Sequence, residues 1–288
     1  MDVQLKPGKY VVAVSGGVDS MVLLDILRQM DDVELVVAHF DHGIRKDSAQ
    51  DKELVEQTAK RIKSGFKSAF GDLGEGASEA TARQARYAFL RDVQEQIGAD
   101  AIITAHHQDD VLETAIINIL RGTNRRGLTA LQSTDGIIRP MLHLTKQQIR
   151  DYAEQQQIIW REDSTNDDDT YLRNYVRHHI LPKFTPKQRQ QFVEIINNLS
   201  VTNEELEHLL NLRPVDPEID RQWFIGLPHA VAKEYIALWL RANHVNNFDK
   251  NTIERLAIAA KTAQPGSQID AIGGWKMTVA KKTLRISK

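Results

Sequence analysis

The chain has 288 residues, no cysteine, and 37 basic against 39 acidic side chains, which gives a net charge of −2. The lack of cysteine excludes disulfides, thiolate metal sites, iron–sulfur clusters and thiol nucleophiles, and the near-neutral charge provides no overall attraction for nucleic acid. Its 41% hydrophobic residues are enough for one large domain and a smaller one, and no uncharged apolar stretch approaches the ~20 residues of a membrane helix. The N-terminal sequence contains no apolar signal segment, so we expect a cytoplasmic protein without a membrane partner.

A strand, a glycine-rich turn and a helix are predicted over residues 10–27. Residues 10–14 are a β-prone apolar run, and apolar side chains recur at helical spacing from Met21 onward. Gly16 and Gly17 permit a sharp turn, and the helix start directs unpaired N–H groups at it, which favours a bound phosphate. The turn lacks the lysine of the P-loop and the spacing of dinucleotide folds, and the alternative is a purely structural turn.

The sequence of this turn, SGGVDS, resembles the pyrophosphate-binding loop of the N-type ATP pyrophosphatases, the PP-loop superfamily. Members of that superfamily split ATP into AMP and pyrophosphate. The resemblance assigns the phosphates of ATP to Ser15, Gly16, Gly17, Val18, Asp19 and Ser20.

Strands and helices alternate through the rest of the first half. A strand is predicted over 34–40 and a helix over 48–62, while residues 65–77 stay ambiguous because glycines weaken a short third strand. The later elements are a helix over 79–97, a strand over 101–105, a helix over 109–120, an extended segment over 136–142, and helices over 145–157, 170–181 and 185–212. This alternation predicts an α/β fold with a parallel sheet covered on both faces. Ligands bind at the C-terminal ends of such strands, so the segments 15–20, 39–42 and 106–110 are expected to meet in one crevice.

Three regions are predicted along the chain. Residues 1–182 form the parallel-sheet PP-loop ATPase domain, and residues 183–212 form a connecting helix. Two prolines within 213–217 indicate a linker, and residues 213–288 form a small, mainly helical substrate-binding domain. Its helices are predicted over 228–243 and 249–263, followed by a hairpin of 268–272 and 276–287 around Gly273 and Gly274.

Two aspartates are the candidate Mg²⁺ ligands. Mg²⁺ takes one or two carboxylates together with phosphate oxygens, and Asp19 beside a bound anion requires a cation between them. Asp110 is the second candidate, and it shares a helix face with Glu113. Alternatives are that Asp19 is only a helix N-cap, and that the histidines near Asp110 hold zinc.

Two groups of arginines are candidates for contacts with anions. Arg83 and Arg86 are one helical turn apart and can clamp phosphates or a developing negative charge, although such arginines are often only solvated. A loop expected to be flexible carries Arg121, Arg125 and Arg126, and a basic helical face carries Arg173 and Arg177. These five side chains are the predicted tRNA contacts, with a solvated surface as the alternative for each group.

The chain as a whole resembles the tRNA(Ile)-lysidine synthase family. The resemblance lies in motifs that occur in order at residues 15–20, 41–45, 82–87, 105–110, 121–122, 139–140, 162–166 and 173–177. The motifs EDSTN and RNxxR are the most specific of these. Residues 214–288 also resemble the helical substrate-binding domain of that family, whose longer members carry a further C-terminal domain.

The resemblance implies a ligase that forms a carbon–nitrogen bond on a tRNA(Ile) with a CAU anticodon. ATP activates the wobble cytidine as an AMP ester, and the amine of free L-lysine then displaces AMP, which changes codon recognition from AUG to AUA. On this interpretation Asp19 and Asp110 hold Mg²⁺, Arg83 and Arg86 stabilise the transferred charge, and His107 and Glu113 line the pocket for lysine and adenylate. The oligomeric state stays open, with a homodimer as one candidate.

Three other functions are compatible with parts of the sequence. A tRNA thiolase would share the loop but transfer sulfur through cysteines, which this chain lacks. An ammonia-using enzyme such as NAD synthetase would need neither cysteine nor tRNA, and the basic clusters argue against it. A non-catalytic RNA-binding module would have little use for Asp19 and Asp110 in a nucleotide crevice.

Overall fold

A computed structural model describes residues 1, 3–43, 48–71, 79–123, 125–134, 136–162, 171–211 and 217–288 of the chain. The chain divides into two compact units, Met1–Val201 and Thr202–Lys288. The proline-rich linker and most of the EDSTN motif lie outside the described residues. Among the helices of the described residues, none is long and apolar enough to cross a membrane.

The first unit is built on a five-stranded, fully parallel sheet with the strand order β3-β2-β1-β4-β5. The strands are β1 Gly8–Ala13, β2 Val33–Asp41, β3 Gly65–Phe70, β4 Ala101–Ile103 and β5 Ile137–Ile138. The ambiguous third strand is therefore present, and its hydrogen bonds to β2 compensate for a weak local signal. The direction of strand addition reverses between β1 and β4, and this switch point is where α/β sheets bind ligands.

Helices cover both faces of this sheet, so the predicted α/β architecture is confirmed. They are α1 Val18–Leu27, α2 Ser48–Arg61, α3 Glu79–Ile97, α4 Gln108–Leu120, α5 Arg125–Leu128, α6 Lys146–Gln155, α7 Leu172–Tyr175 and α8 Pro186–Asn211. Neighbouring residues of β1 belong to different cores: Val12 packs with α1, α2 and α6, whereas Val11 packs with α3. Burial on both faces explains why β1 is continuously apolar rather than alternating.

The predicted helix over 170–181 is interrupted. After α7 the chain forms a π-helical segment, Val176–Ile180, and a 3₁₀ turn, Leu181–Lys183. Helix α8 begins at Pro186, as the proline predicts, and runs past Val201. The division between the units therefore falls inside α8, whereas the sequence placed a boundary near residue 213.

In its described residues, the second unit contains the end of α8, three further helices and a four-stranded antiparallel sheet of order β6-β9-β8-β7. Its elements are β6 Glu218–Asp220, α9 Arg221–Gly226, α10 His229–Ala242, α11 Lys250–Thr262, β7 Gln268–Asp270, β8 Lys276–Val279 and β9 Thr283–Ser287. The hairpin predicted at Gly273 and Gly274 joins β7 to β8, and both glycines have positive φ, at 58° and 82°. The prediction of one strand over 276–287 is wrong, because the chain turns again between β8 and β9.

A buried arginine connects three parts of the second unit. Arg221 is 7% exposed, and its guanidinium donates to the carbonyl oxygens of Ala260 at 3.0 Å, Ala263 at 2.5 Å and Ala280 at 3.2 Å. Two of these carbonyls belong to the end of α11, and the third follows β8. One planar cation thus donates to one buried and two partly buried carbonyls.

Replacing this arginine should destabilise the second unit. We expect Arg221→Met to lower the free energy of unfolding by about 1–3 kcal/mol, because a buried carbonyl without a donor, here that of Ala260, has about that cost. Urea unfolding followed by tryptophan fluorescence measures this, since Trp223, Trp239 and Trp275 lie in this unit. Arg285→Met, at an exposed ion pair, is the control, and equal midpoints for the two variants would contradict the prediction.

Candidate functional site

The loop between β1 and α1 is shaped by its own serines. Ser20 Oγ accepts a hydrogen bond from the backbone N–H of Ser15 at 3.1 Å and donates to the carbonyl of Gly17 at 2.9 Å. Gly16 has φ +97°, which requires glycine. Gly17 is the N-cap of α1 and provides no side-chain cap, so the first N–H groups of this helix are directed at the loop. Asp19 lies in the first turn and is not the N-cap, so that alternative is wrong.

Segments distant in sequence contact this loop and the end of the strand before it. The backbone N–H of Arg161 donates to the carbonyl of Gly16 at 3.0 Å, and Arg161 Nε donates to Asp51 Oδ1 at 2.7 Å. The Asp51 side chain is buried, and its Cβ would lie 3.4 Å from a Cβ placed on Gly16. His39 Nδ1 forms a 2.9 Å hydrogen bond with the carbonyl of Val14, and burial lowers the pKa of His39. The segment 39–42 is expected from its sequence to line the crevice. Its first residue, His39, is buried and contacts the backbone directly after β1.

The start of α4 brings the two candidate Mg²⁺ ligands together. His107 is the N-cap: its Nδ1 accepts from the N–H of Asp109 at 3.3 Å, and its own N–H donates to Asp110 Oδ2 at 2.9 Å. An accepting Nδ1 assigns the hydrogen of a neutral ring to Nε2. This Nε2 lies 3.7 Å from Asp19 Oδ2 and 3.5 Å from Asp110 Oδ2. Both aspartates thus lie within 4 Å of one histidine nitrogen.

Glu113 is bound by two arginines from the segment after the EDSTN motif. The Glu113 side chain is fully buried, and its carboxylate accepts from Arg173 Nε at 2.8 Å and from Arg177 Nε at 2.7 Å. The same guanidiniums lie 3.5 Å and 3.8 Å from Asp110 Oδ1. Burial alone would raise the pKa of Asp110, but His107 and the other nearby donors and cations lower it to about 2. Asp110 is therefore ionised at neutral pH.

Three arginines act electrostatically on His106, which follows β4. Arg83 and Arg86 of α3 place their guanidiniums 4.8 Å and 5.5 Å from the centre of the Tyr87 ring. The pKa of His106 is lowered to about 3, mainly by burial. The charge of Asp110 acts to raise this pKa, and the charges of Arg86, Arg139 and Arg83 act to lower it. His106 is therefore neutral at physiological pH, while arginines provide the positive charge around it.

The segment after α4 is more ordered than the sequence suggested. Residues 125–128 form the short helix α5, and Asn118 Nδ2 of α4 donates to the carbonyl of Gly127 at 2.6 Å. Arg125 and Arg126 are half-buried, whereas Arg121 is exposed. The expectation of a flexible loop is therefore wrong for residues 125–128, and Arg121 is the most accessible of the three arginines.

The donors present at the crevice fit Mg²⁺ better than zinc. Among the described residues, no group of three or more histidines and carboxylates is placed to hold a metal ion. Mg²⁺ needs only one or two carboxylates, with phosphate and water oxygens completing its octahedron. Asp19 and Asp110 provide such oxygens on adjacent loops.

Sequence reasoning missed several residues that the structure places at the site. They are Asp51, Lys146 and Arg161, whereas His106 and Arg139 lie in segments that the sequence singled out without giving either residue a role. Lys146 had a local signal, because it follows the N-cap Thr145 and so begins a helix at the C-terminal edge of the sheet. The pairing of Asp51 with Arg161 had none, since 110 residues separate them.

Known proteins support this description of the first unit. The PP-loop domain family matches residues 2–184, and the chain belongs to this family. A curated relative from Exiguobacterium sibiricum, named tRNA(Ile)-lysidine synthase, is 39% identical over 185 residues, which are 63% of this chain and 44% of that relative. A protein of the same name from Francisella tularensis is 28% identical over 281 residues, which are 93% of this chain and 70% of that protein. The resemblance drawn from the motifs is thereby confirmed.

A solved structure supports the fold. The U34-tRNA thiolase NcsA from Methanococcus maripaludis, with its [4Fe-4S] cluster, has a TM-score of 0.54 and 17% identity, covering 68% of this chain and 73% of that one. At this identity the similarity shows the fold alone. The chain spans less than half the length of the first curated relatives, at 44% and 46%.

The low pKa of His106 predicts a pH dependence of stability. The ordinary pKa of histidine is 6.5, so below that pH the unfolded chain binds a proton that the folded protein binds only near pH 3. The contribution of the neutral His106 to the free energy of unfolding is therefore complete above about pH 6.5. It is lost as the pH falls towards 3, at up to about 1.4 kcal/mol per pH unit. His106→Gln should flatten the decline in unfolding free energy between about pH 6.5 and pH 4. Urea unfolding at several pH values tests this, with His208→Gln on the exposed part of α8 as the control; identical slopes for wild type and His106→Gln would contradict it.

Proposed function

We propose that this protein ligates free L-lysine to C2 of the wobble cytidine of a tRNA(Ile) with a CAU anticodon, consuming ATP and releasing AMP and pyrophosphate. The observation that carries the proposal is the match to proteins named tRNA(Ile)-lysidine synthase, which in one case extends over 93% of this chain. We propose a cytoplasmic location for the reaction and leave a homodimer as a candidate assembly.

The chemistry requires a poor leaving group to be activated. The C2 oxygen of cytidine attacks the α-phosphorus of ATP and expels pyrophosphate, which converts that oxygen into part of an AMP ester. The lysine amine then forms a bond to C2, loses a proton, and AMP departs with the oxygen. In this scheme the loop residues 15–20 bind the phosphates through backbone N–H groups.

Each side of the crevice is suited to one part of this reaction. Asp19 and Asp110 are the proposed Mg²⁺ ligands, and Mg²⁺ would offset phosphate charge and polarise the transferred phosphoryl group. Arg83 and Arg86 are the proposed stabilisers of negative charge on that group. Their contacts with the Tyr87 ring restrain both guanidiniums, which limits the reorganisation that is needed when negative charge develops on the phosphoryl group.

His107 and Glu113 are the proposed lining of the lysine and adenylate pocket. Both Glu113 oxygens accept hydrogen bonds from guanidinium nitrogens, so this carboxylate acts on the pocket together with Arg173 and Arg177. We therefore propose that these two arginines first hold the carboxylates of α4. Any tRNA contact that they make adds to that role.

The other functions weighed from the sequence are less well supported. The curated relatives bear the name tRNA(Ile)-lysidine synthase, so NAD synthetase chemistry is not favoured.

The test of the proposed function is incorporation of radiolabelled lysine into tRNA(Ile) with a CAU anticodon in the presence of ATP. Omission of lysine should leave an RNA–AMP adduct, and efficient replacement of lysine by ammonia or sulfide would refute the proposal.

Removing either proposed Mg²⁺ ligand should abolish most of the activity. We expect Asp19→Asn and Asp110→Asn each to reduce tRNA-dependent pyrophosphate release by several orders of magnitude. Metal-borne charge stabilisation is worth several kcal/mol, and about 1.4 kcal/mol corresponds to a factor of ten. Asp109→Asn on the same helix turn is the matched control, and circular dichroism checks the fold. Full activity of one variant would remove that residue from the metal site.

The arginines after α4 should contribute to the salt dependence of tRNA binding. Arg121→Ala should reduce the slope of log affinity against log salt by about one unit, and Arg125→Ala with Arg126→Ala by about one to two, since each phosphate contact contributes about 0.7–0.9. ATP affinity without tRNA should be unchanged. An unchanged slope would exclude these residues as phosphate contacts, and a parallel loss of ATP binding would indicate a structural role.

A further inference from the structure

Lys146 places a protein cation directly against the glycine-rich loop. Its Nζ lies 2.7 Å from Asp19 Oδ1 and 2.7 Å from Asp19 Oδ2, so it bonds both oxygens of the carboxylate. The two side chains are 32% and 28% exposed. The contact is therefore partly shielded from water but accessible to a ligand that enters the crevice.

The position of this ammonium group is fixed by the start of α6. Thr145 is the N-cap, with its Oγ1 accepting from the N–H of Gln148 at 3.2 Å and its own N–H donating to Gln148 Oε1 at 2.9 Å. Further along the helix, Tyr152 donates its hydroxyl hydrogen to Asp25 Oδ2 of α1 at 3.0 Å. Helices α1 and α6 also share one buried core, which includes Ile149. These contacts hold the first residue of α6 beside the first turn of α1.

A phosphate loop without its own lysine leaves a charge to be balanced. The sequence SGGVDS contains one acidic side chain and no basic one, so a nucleotide phosphate would add negative charge beside Asp19. Lysine is suited to phosphate binding in this setting, because its ammonium has three donors on a flexible four-carbon stem. An ammonium group on such a stem can change from one oxygen acceptor to another by rotation about its side-chain bonds.

We propose that Lys146 is a phosphate-binding residue of the nucleotide site, supplied to the glycine-rich loop by α6. Before the nucleotide binds, Lys146 neutralises Asp19. When ATP binds, the ammonium group turns to an oxygen of the β- or γ-phosphate, and the Asp19 carboxylate becomes available to a divalent cation. This inference rests on the proposed use of ATP and assigns Lys146 a role in it.

The test is equilibrium binding of ATP, ADP and AMP to the full chain, measured by calorimetry with and without Mg²⁺ and in the absence of tRNA. Lys146→Met should weaken ATP binding about tenfold or more, because the charge-assisted hydrogen bond from the ammonium group to the β- or γ-phosphate is lost. AMP binding should change little, because AMP lacks the β- and γ-phosphates. Lys146→Arg should bind ATP nearly as the unchanged protein does. Lys9→Met, which removes a lysine paired with Glu34 at 2.9 Å, is the matched control.

A second pair of variants tests the exchange of partners. Asp19→Asn releases Lys146 from its ion pair, so ATP binding without Mg²⁺ should become tighter. Adding Lys146→Met to Asp19→Asn should abolish that gain, whereas adding Lys9→Met should preserve it. Thermal unfolding of each variant confirms that the fold is retained.

The outcomes separate this inference from the proposed function. ATP affinity unchanged or increased in Lys146→Met would overturn the inference, leaving Lys146 as a partner of Asp19 only. An equal loss of ATP and AMP binding would also overturn it, because the effect would not follow the β- and γ-phosphates. Failure of the unchanged protein to bind ATP would instead refute the proposed function.

Discussion

The acidic side chains at the C-terminal edge of the parallel sheet require cations, and each cation comes from a distant part of the chain. Asp19 is paired with Lys146, Asp51 with Arg161, and Glu113 with Arg173 and Arg177. Partly or fully buried carboxylates are costly without partners, so these contacts constrain where α6, the segment around residue 161 and α7 can lie. The same ion pairs thus position the charged side chains of the crevice and the segments that surround it.

The topology of the sheet decides which of these groups meet. Strand β1 pairs with β2 on one side and with β4 on the other, so the loops after β1 and β4 leave the sheet next to each other. One loop provides Asp19 and the other provides His107 and Asp110, with His107 Nε2 near both carboxylates. The order of the strands thus brings the side chains of both loops to one place at the edge of the sheet.

The two adjacent histidines of the crevice are surrounded by different charged groups. Carboxylates gather near His107, whereas Arg83, Arg86 and Arg139 act on His106 and help to keep it neutral. The hydrogen bonds of the two histidines differ as well. His107 caps α4, whereas His106 Nδ1 lies 2.8 Å from Thr104 Oγ1.

The sequence by itself determined the parallel α/β architecture, the glycine-rich loop, the capped helix start at Thr145, and the turn at Gly273 and Gly274. These features follow from signals within a few residues, namely apolar periodicity, side-chain caps and glycine at positive φ. Only the tertiary structure decided that Lys146 faces Asp19, that Arg173 and Arg177 bind Glu113, and that residues 65–70 form an edge strand. The ion pairs join residues that are 127, 60 and 64 positions apart, and the edge strand depends on hydrogen bonds to β2. Contacts over such separations leave no periodic pattern in one sequence, so they become visible only when the chain is folded.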